Sequence, residues 1–194
     1  MDHCCGVEFS PPDKLNALRH LTILGNDNLD MFTTLCCQNP AVTGLLQTLD
    51  LQCDPKILNY DIQEWNYDVE MSNYDIEKFK ETLAQCTALR SLHLVLGGLD
   101  SDCSFLGVIC ILPNCLEHLT YRGMPEISKD LPQWLKLASD PEWLPQLKTI
   151  SFGLDVSGGP SLNAEESVAI LEQVEEFLDT LSSHRPYLHI LDST

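Results

Sequence analysis

A short pattern of leucines returns six times along this chain, and its geometry leaves few folds open. LRHLTILGN sets Leu18, Leu21, Ile23 and Asn26 at positions 1, 4, 6 and 9 of the pattern LxxLxLxxN/C. Leu46, Leu49, Leu51 and Asp54 occupy it again, followed by Leu89, Leu92, Leu94 and Gly97. Leu116, Leu119, Tyr121 and Met124 form a fourth copy, and Leu147, Ile150, Phe152 and Asp155 a fifth. A sixth is partial, with Leu188 and Ile190 in place but Arg185 in the first apolar slot. The fourth positions, Leu21, Leu49, Leu92, Leu119, Ile150 and Leu188, stand 28, 43, 27, 31 and 38 residues apart. Positions 4 and 6 share one face of a strand. A strand this short cannot bury that face alone, so each unit must lie beside the last and share its core.

The segments between copies read as helical returns. Residues 29–37 carry Leu29, Phe32 and Leu35, and residues 75–87 place Ile76, Phe79, Leu83 and Cys86 on one helical stripe. Residues 102–112 are almost wholly apolar and are expected to be buried. Asp130 is expected to cap a short segment with Trp134, Leu135 and Ala138 inward. Over 164–182, Asn163 and Glu166 make a capping-box pattern, with Val168, Leu171, Val174, Leu178 and Leu181 expected inward. Strands alternating with helices at these lengths predict an α/β fold, a parallel sheet with helices on one side.

The pattern resembles ribonuclease-inhibitor-like leucine-rich repeats, especially those of F-box/leucine-rich-repeat proteins, over roughly residues 14–192. The resemblance implies a leucine-rich-repeat solenoid with a parallel concave sheet and convex helices. The chain would form one domain over 1–194, with about six irregular repeats, and present a protein-recognition surface. The Asn/Cys slot holds Asn once, at Asn26, and no F-box-like helical segment stands at the N-terminus, so direct recruitment of a ubiquitin ligase is not expected. The alternative is a fragment of a larger solenoid, such as the substrate-binding part of an F-box protein, with no independent activity.

An internal expansion explains the longest spacing. NYDIQEW, NYDVEMS and NYDIEKF start at residues 59, 66 and 73 and lengthen one unit into an expanded loop over 55–75. Ile62, Trp65, Val69, Ser72, Ile76, Phe79, Leu83 and Cys86 fit a heptad seam, while Tyr60–Ile62 and Tyr67–Val69–Met71 alternate as a strand does. Asn66 and Asn73 weaken a helix interior, so an irregular loop followed by a helix from about 75 is expected. Residues 54–81 carry eight acids and three lysines. Tyr60, Trp65, Tyr67 and Tyr74 would there offer aromatic anchors to a basic partner.

Charge narrows the partners. Twenty-nine acidic residues against eleven basic ones leave a net charge of −18. Nucleic acid needs clustered Lys and Arg, and anionic membranes repel such a surface, so neither is an expected partner. Another protein is expected; basic ones are electrostatically permitted, although acidity by itself mostly signals solubility. No apolar run reaches the roughly 18–20 residues that span a bilayer, and MDHCCGVEFSPP has neither a basic nor an apolar signal region. A cytoplasmic or nuclear location is therefore expected. In a reducing compartment cysteines act as small hydrophobes, and most of the nine are expected in the core.

No catalytic or cofactor motif stands out, so the chain is read as a non-enzyme with no cofactor. Cys110, Cys115 and His118 form C-x4-C-x2-H, but structural zinc requires four ligands. Candidate contact residues come instead from positions 3, 5 and 7, which turn away from the core. On that wall His20, Thr22, Asp50, Gln52, His93, Val95, His118, Thr120, Arg122, Ser151, Tyr187 and His189 are the expected partner-binding residues. Sheet geometry puts His93 and His118 roughly 7–8 Å apart at Cβ. Histidines on a contact face also suggest pH-sensitive binding.

Overall fold

The computed structural model describes residues 17–25, 28–52, 73–95, 111–123, 131–154 and 164–191, with side chains from residue 77 onward in the third segment. The elements run β1 (His20–Leu24), α1 (Asn28–Gln38), α2 (Ala41–Leu45), β2 (Thr48–Gln52), α3 (Asn73–Ala84), β3 (Ser91–Val95), β4 (His118–Gly123), α4 (Leu131–Ala138), β5 (Thr149–Leu154), α5 (Ala164–His184) and β6 (His189–Ile190). They form an α/β fold with one six-stranded, all-parallel sheet in the order of the chain.

The strands pair in the register that the leucine pattern dictates. Leu21, Leu49, Leu92, Leu119 and Ile150 stand side by side, as do Ile23, Leu51, Leu94, Tyr121 and Phe152. A one-residue slip would turn these rows to water, which is why the register is strongly specified. Strands β2 to β5 also enter the sheet in the same way. The N–H groups of Gln47 and Thr48 both donate to the Arg19 carbonyl, and those of Arg90 and Ser91 to that of Gln47. Glu117 and His118 donate to Arg90, and Lys148 and Thr149 to Glu117.

Helices cover one face of the sheet. The strand rows, of which Leu21 is only partly buried, form one cluster with Phe32 of α1, Val42 of α2, Phe79 and Leu83 of α3, Trp134 of α4, and Val174, Phe177 and Leu181 of α5. Trp134 sits edge-on to Phe152, Tyr121 and Phe177 at centroid distances of 4.6, 5.7 and 5.7 Å. Tyr121 and Phe152, neighbours across β4 and β5, stack at 5.2 Å. Each aromatic pair adds about 0.5–1.5 kcal/mol to what apolar burial supplies. Phe32 and Phe79 join α1 to α3 in the same manner at 5.8 Å.

Helix α1 buries Leu29, Phe32 and Leu35 as expected, and α4 buries Trp134 and Ala138, with Leu135 packed against the core. The helix expected over 75–87 runs from Asn73 to Ala84; Cys86 follows it in a turn and is buried, as are Phe79 and Leu83. The five-residue α2, opening after Pro40, was too short to show a periodicity.

Two expectations need correction. In α5 the buried stripe is Ile170, Val174, Phe177 and Leu181, whereas Val168 and Leu171 are 55% and 47% exposed and Leu178 is half-buried. The aromatic ring of Phe177 against Trp134 sets the helix rotation. In the sixth unit, Thr149 pairs with His189 and Ile150 with Ile190. Leu188 is therefore not the strand anchor. It is buried in the turn before β6, where its N–H donates to the Arg185 carbonyl three residues back, as those of Leu89, Leu116 and Leu147 donate to Cys86, Pro113 and Leu144 before their own strands.

Cys36 and Cys86 lie in the core, and burial pushes both thiols up to about 12, with Cys86 further raising Cys36. Both stay protonated and inert. Cys115 is half-buried and Cys37 exposed; the other five cysteines lie outside the described residues. Most of 102–112, the capping residues Asp130 and Asn163, and the expanded loop ahead of α3 lie outside the described residues. Among the described residues no helix is long and apolar enough to cross a membrane.

Candidate functional site

With the helices on one face, the opposite face is made by positions 3, 5 and 7. The register aligns them in rows. The first is His20, Thr48, Ser91, His118 and Thr149; the second Thr22, Asp50, His93, Thr120 and Ser151; the third Leu24, Gln52, Val95, Arg122 and Gly153. Parallel strands lie about 4.8 Å apart, so each row is a continuous ladder of side chains.

Asp50, Gln52 and His93 form the most closely connected group on this face. The Gln52 side-chain amide donates to both Asp50 carboxylate oxygens, at 2.9 and 3.0 Å, and His93 Nδ1 lies 3.0 Å from Asp50 Oδ1. The three are half-exposed, so they hold one another in place while one edge of each remains open to a partner. His118 turns the other way, with Nδ1 at 2.8 Å from the Thr149 hydroxyl. His93 thus leans to β2 and His118 to β5, and the two histidines act as separate contacts. Arg122 and His20 are exposed, while Thr120 and Val95 are half-exposed.

Three candidate residues are placed differently from expectation. Ser151 is on this face but only 8% exposed, so it is covered rather than available. Tyr187 precedes β6 and stands 87% exposed, off the sheet. His189 joins the first row beside Thr149 rather than the second beside Ser151. Both shifts follow from Leu188 lying in the turn that precedes the strand rather than in the strand itself. Of the loop aromatics, Tyr60, Trp65 and Tyr67 lie outside the described residues, and Tyr74 falls in the first turn of α3.

Two polar constellations escaped the sequence reading. At position 2 of three successive units, Glu117 binds Arg90 at 2.9 Å on one side and Lys148 on the other. The hydrogen bond from Lys148, with the charges of Lys148 and Arg90, holds the Glu117 carboxyl below its usual range. Arg90 and Glu117 border a depression of about 360 Å³ also lined by Gln47, Thr87, Cys115 and Gln146. The Cys115 thiol there donates to the carbonyls of Thr87 and Leu89, at 3.1 and 3.2 Å. The alternation Arg90, Glu117, Lys148 at one pattern position was the available signal.

The second constellation explains the misfit at Arg185. Its guanidinium donates to the carbonyls of Ala138, Asp140 and Trp143 and lies 5.6 Å from the centre of the Trp143 ring. It therefore ties the end of α4 to the end of α5. The carbonyl of Trp143 adjoins Leu144, a buried residue in the left-handed region at φ 48°. A non-glycine residue held there costs on the order of 1–2 kcal/mol, which the clamp helps offset. Burial lowers the Arg185 pKa, but a guanidinium remains charged.

Among the described residues no group of three or more His, Cys, Asp or Glu side chains is arranged to hold a metal ion. No protein-family model, curated protein or solved structure matches the chain.

Proposed function

We propose that this chain is a leucine-rich-repeat solenoid that acts as a non-catalytic recognition module, binding another protein on the face of its sheet opposite the described helices. The solenoid reading is supported by the repeated strand entry, in which two successive N–H groups donate to one carbonyl of the unit before. The observation that carries the functional reading is the unequal use of the two faces. One is consumed by the core; the other carries an aligned polar array with Asp50, Gln52 and His93 at its centre and His118 and Arg122 beside them.

Interfaces draw most of their affinity from a few well-held side chains. His93, His118 and Arg122 fit that role, being fixed on strands rather than loops. In affinity capture, changing these three to Ala is expected to lower recovery of the bound protein at least tenfold, with the fold unchanged by circular dichroism. Equal recovery would remove the site. Binding should also change between about pH 5.5 and 8, the range in which histidines gain charge.

A second reading, part of a longer solenoid without independent activity, is favoured by the apolar side chains at the sheet ends. It predicts that the chain alone associates through those ends. A clean monomer in light scattering would exclude it.

A further inference from the structure

Asp50 decides which ring nitrogen of His93 carries the proton. An ionised carboxylate only accepts hydrogen bonds, and Asp50 Oδ1 stands 3.0 Å from His93 Nδ1. A bare lone pair on that nitrogen would face the lone pairs of the oxygen, so the contact calls for Nδ1–H. The Gln52 amide nitrogen lies 3.5 Å from the same Nδ1, at the outer limit of a hydrogen bond. The nearer and charged neighbour therefore places the proton. Gln52 also donates to both Asp50 oxygens and holds the carboxylate against the ring.

Neutral His93 then carries its lone pair on Nε2. Among the described residues both contacts of the ring are made by Nδ1, and the side chain is 35% exposed. The group thus offers a partner an acceptor and asks it for a donor. His118 gives no such instruction, because its Nδ1 meets the Thr149 hydroxyl, which can donate or accept.

Charge selects among donors. On the strands that flank β3, the charged and titratable groups of this face are Asp50 of β2 and His118 and Arg122 of β4. Arg122 is one strand and one row from His93, about 8 Å between backbones by strand spacing and rise. The Asp50 carboxylate touches the ring itself. The local field is therefore negative, in a chain whose net charge is −18, and it favours a cation over a neutral donor.

We infer that the Asp50–His93 pair takes a lysine or arginine side chain of a protein partner and releases it when His93 is protonated. The inference rests on reading this face as a recognition surface, and it names the anchor and the sign of the pH response. The partner's N–H donates to His93 Nε2, and Asp50 balances its charge. Protonation replaces the Nε2 lone pair by N–H and adds a positive charge, so donor meets donor and cation meets cation. An acidic anchor would give the opposite sign.

The test titrates fluorescent octapeptides, alternating Ser with Lys, Gln or Glu, onto the full chain at about 0.15 M salt. The Ser–Lys peptide should bind at about pH 8 and lose at least about tenfold in affinity at about pH 5.5. The Ser–Gln and Ser–Glu peptides should bind at least about tenfold more weakly than Ser–Lys at the higher pH. Asp50→Asn should weaken the Ser–Lys peptide to a similar degree. Glu172→Gln with Glu175→Gln, which removes two exposed charges from α5, should not. His93→Gln keeps an acceptor that does not titrate, so it should bind at the higher pH and lose the pH response. Nitrogen-detected NMR of the free chain should show His93 as its Nδ1–H form.

A pH response that survives His93→Gln would overturn the proposal. So would a preference for the Ser–Glu peptide, no binding of Ser–Lys, or an Nε2–H ring. Loss of partner capture in the His93, His118, Arg122 triple variant, with no peptide binding, would keep the face and remove its cationic anchor. Unchanged capture would remove the face.

Discussion

The junction of β3 with β4 and that of β5 with β6 are built from the same pattern, yet they bury their anchors unequally. Leu92, Leu94, Leu119 and Tyr121 are buried, each with a strand on either side and helices above. Ile190, in the matching row of the last strand, is 39% exposed. The difference lies in the neighbours and not in the side chains. An anchor is protected by the unit after it as much as by its own, so the same residue type is worth less at the end of the array.

Truncation should show the contrast most strongly. Leu92→Ala is expected to cost about 3–5 kcal/mol by urea denaturation, and Ile190→Ala below about 1 kcal/mol. Similar losses at both positions would erase the distinction. The next effect belongs to the end unit's own fastening: Arg185→Ala should cost about 2–3 kcal/mol by removing charged donors from three carbonyls. Arg185→Lys should recover less than half, because an ammonium cannot reproduce the planar fork. A full rescue by Lys would reduce the clamp to simple charge.

A smaller effect sharpens the account of the middle. Gly123 lies against the Tyr121 ring, and a Cβ there would overlap its hydroxyl end. Gly123→Ala should cost about 1–3 kcal/mol, since the stacked ring has no room to move. Tyr121→Leu in the same chain should remove most of the added penalty. The smallest effect concerns Glu117. A carboxyl whose pKa is depressed on folding stabilises the fold above its ordinary pKa, near 4.5, and that contribution is lost as pH falls through the folded value. Glu117→Gln should therefore flatten the acid limb of the stability curve, and added salt should mimic it. An unchanged acid limb would show the pair to be idle.

Much of the fold was legible because Leu49, Leu92, Leu119 and Ile150 recur with a period that only adjacent strands satisfy. Their rows on the opposite face followed from alternation, so Asp50, His93, His118 and Arg122 were placed before any geometry was known. What escaped was set by tertiary contact. The rotation of α5 depends on Phe177 meeting Trp134, which no spacing within the helix reveals. The shift of β6 depends on Arg185 reaching back to the turn after α4, 42 residues earlier at Trp143. Pattern also could not show that Ser151 would be covered or that His93 would be held by Asp50.

Because strand order follows chain order, the sheet has no long-range stitch between its first and last members. Under a pulling force applied at the two extremities, rupture should start from an outer ribbon and advance inward one ribbon at a time, as a zip opens. The force trace would then be a staircase of modest steps rather than one tall peak.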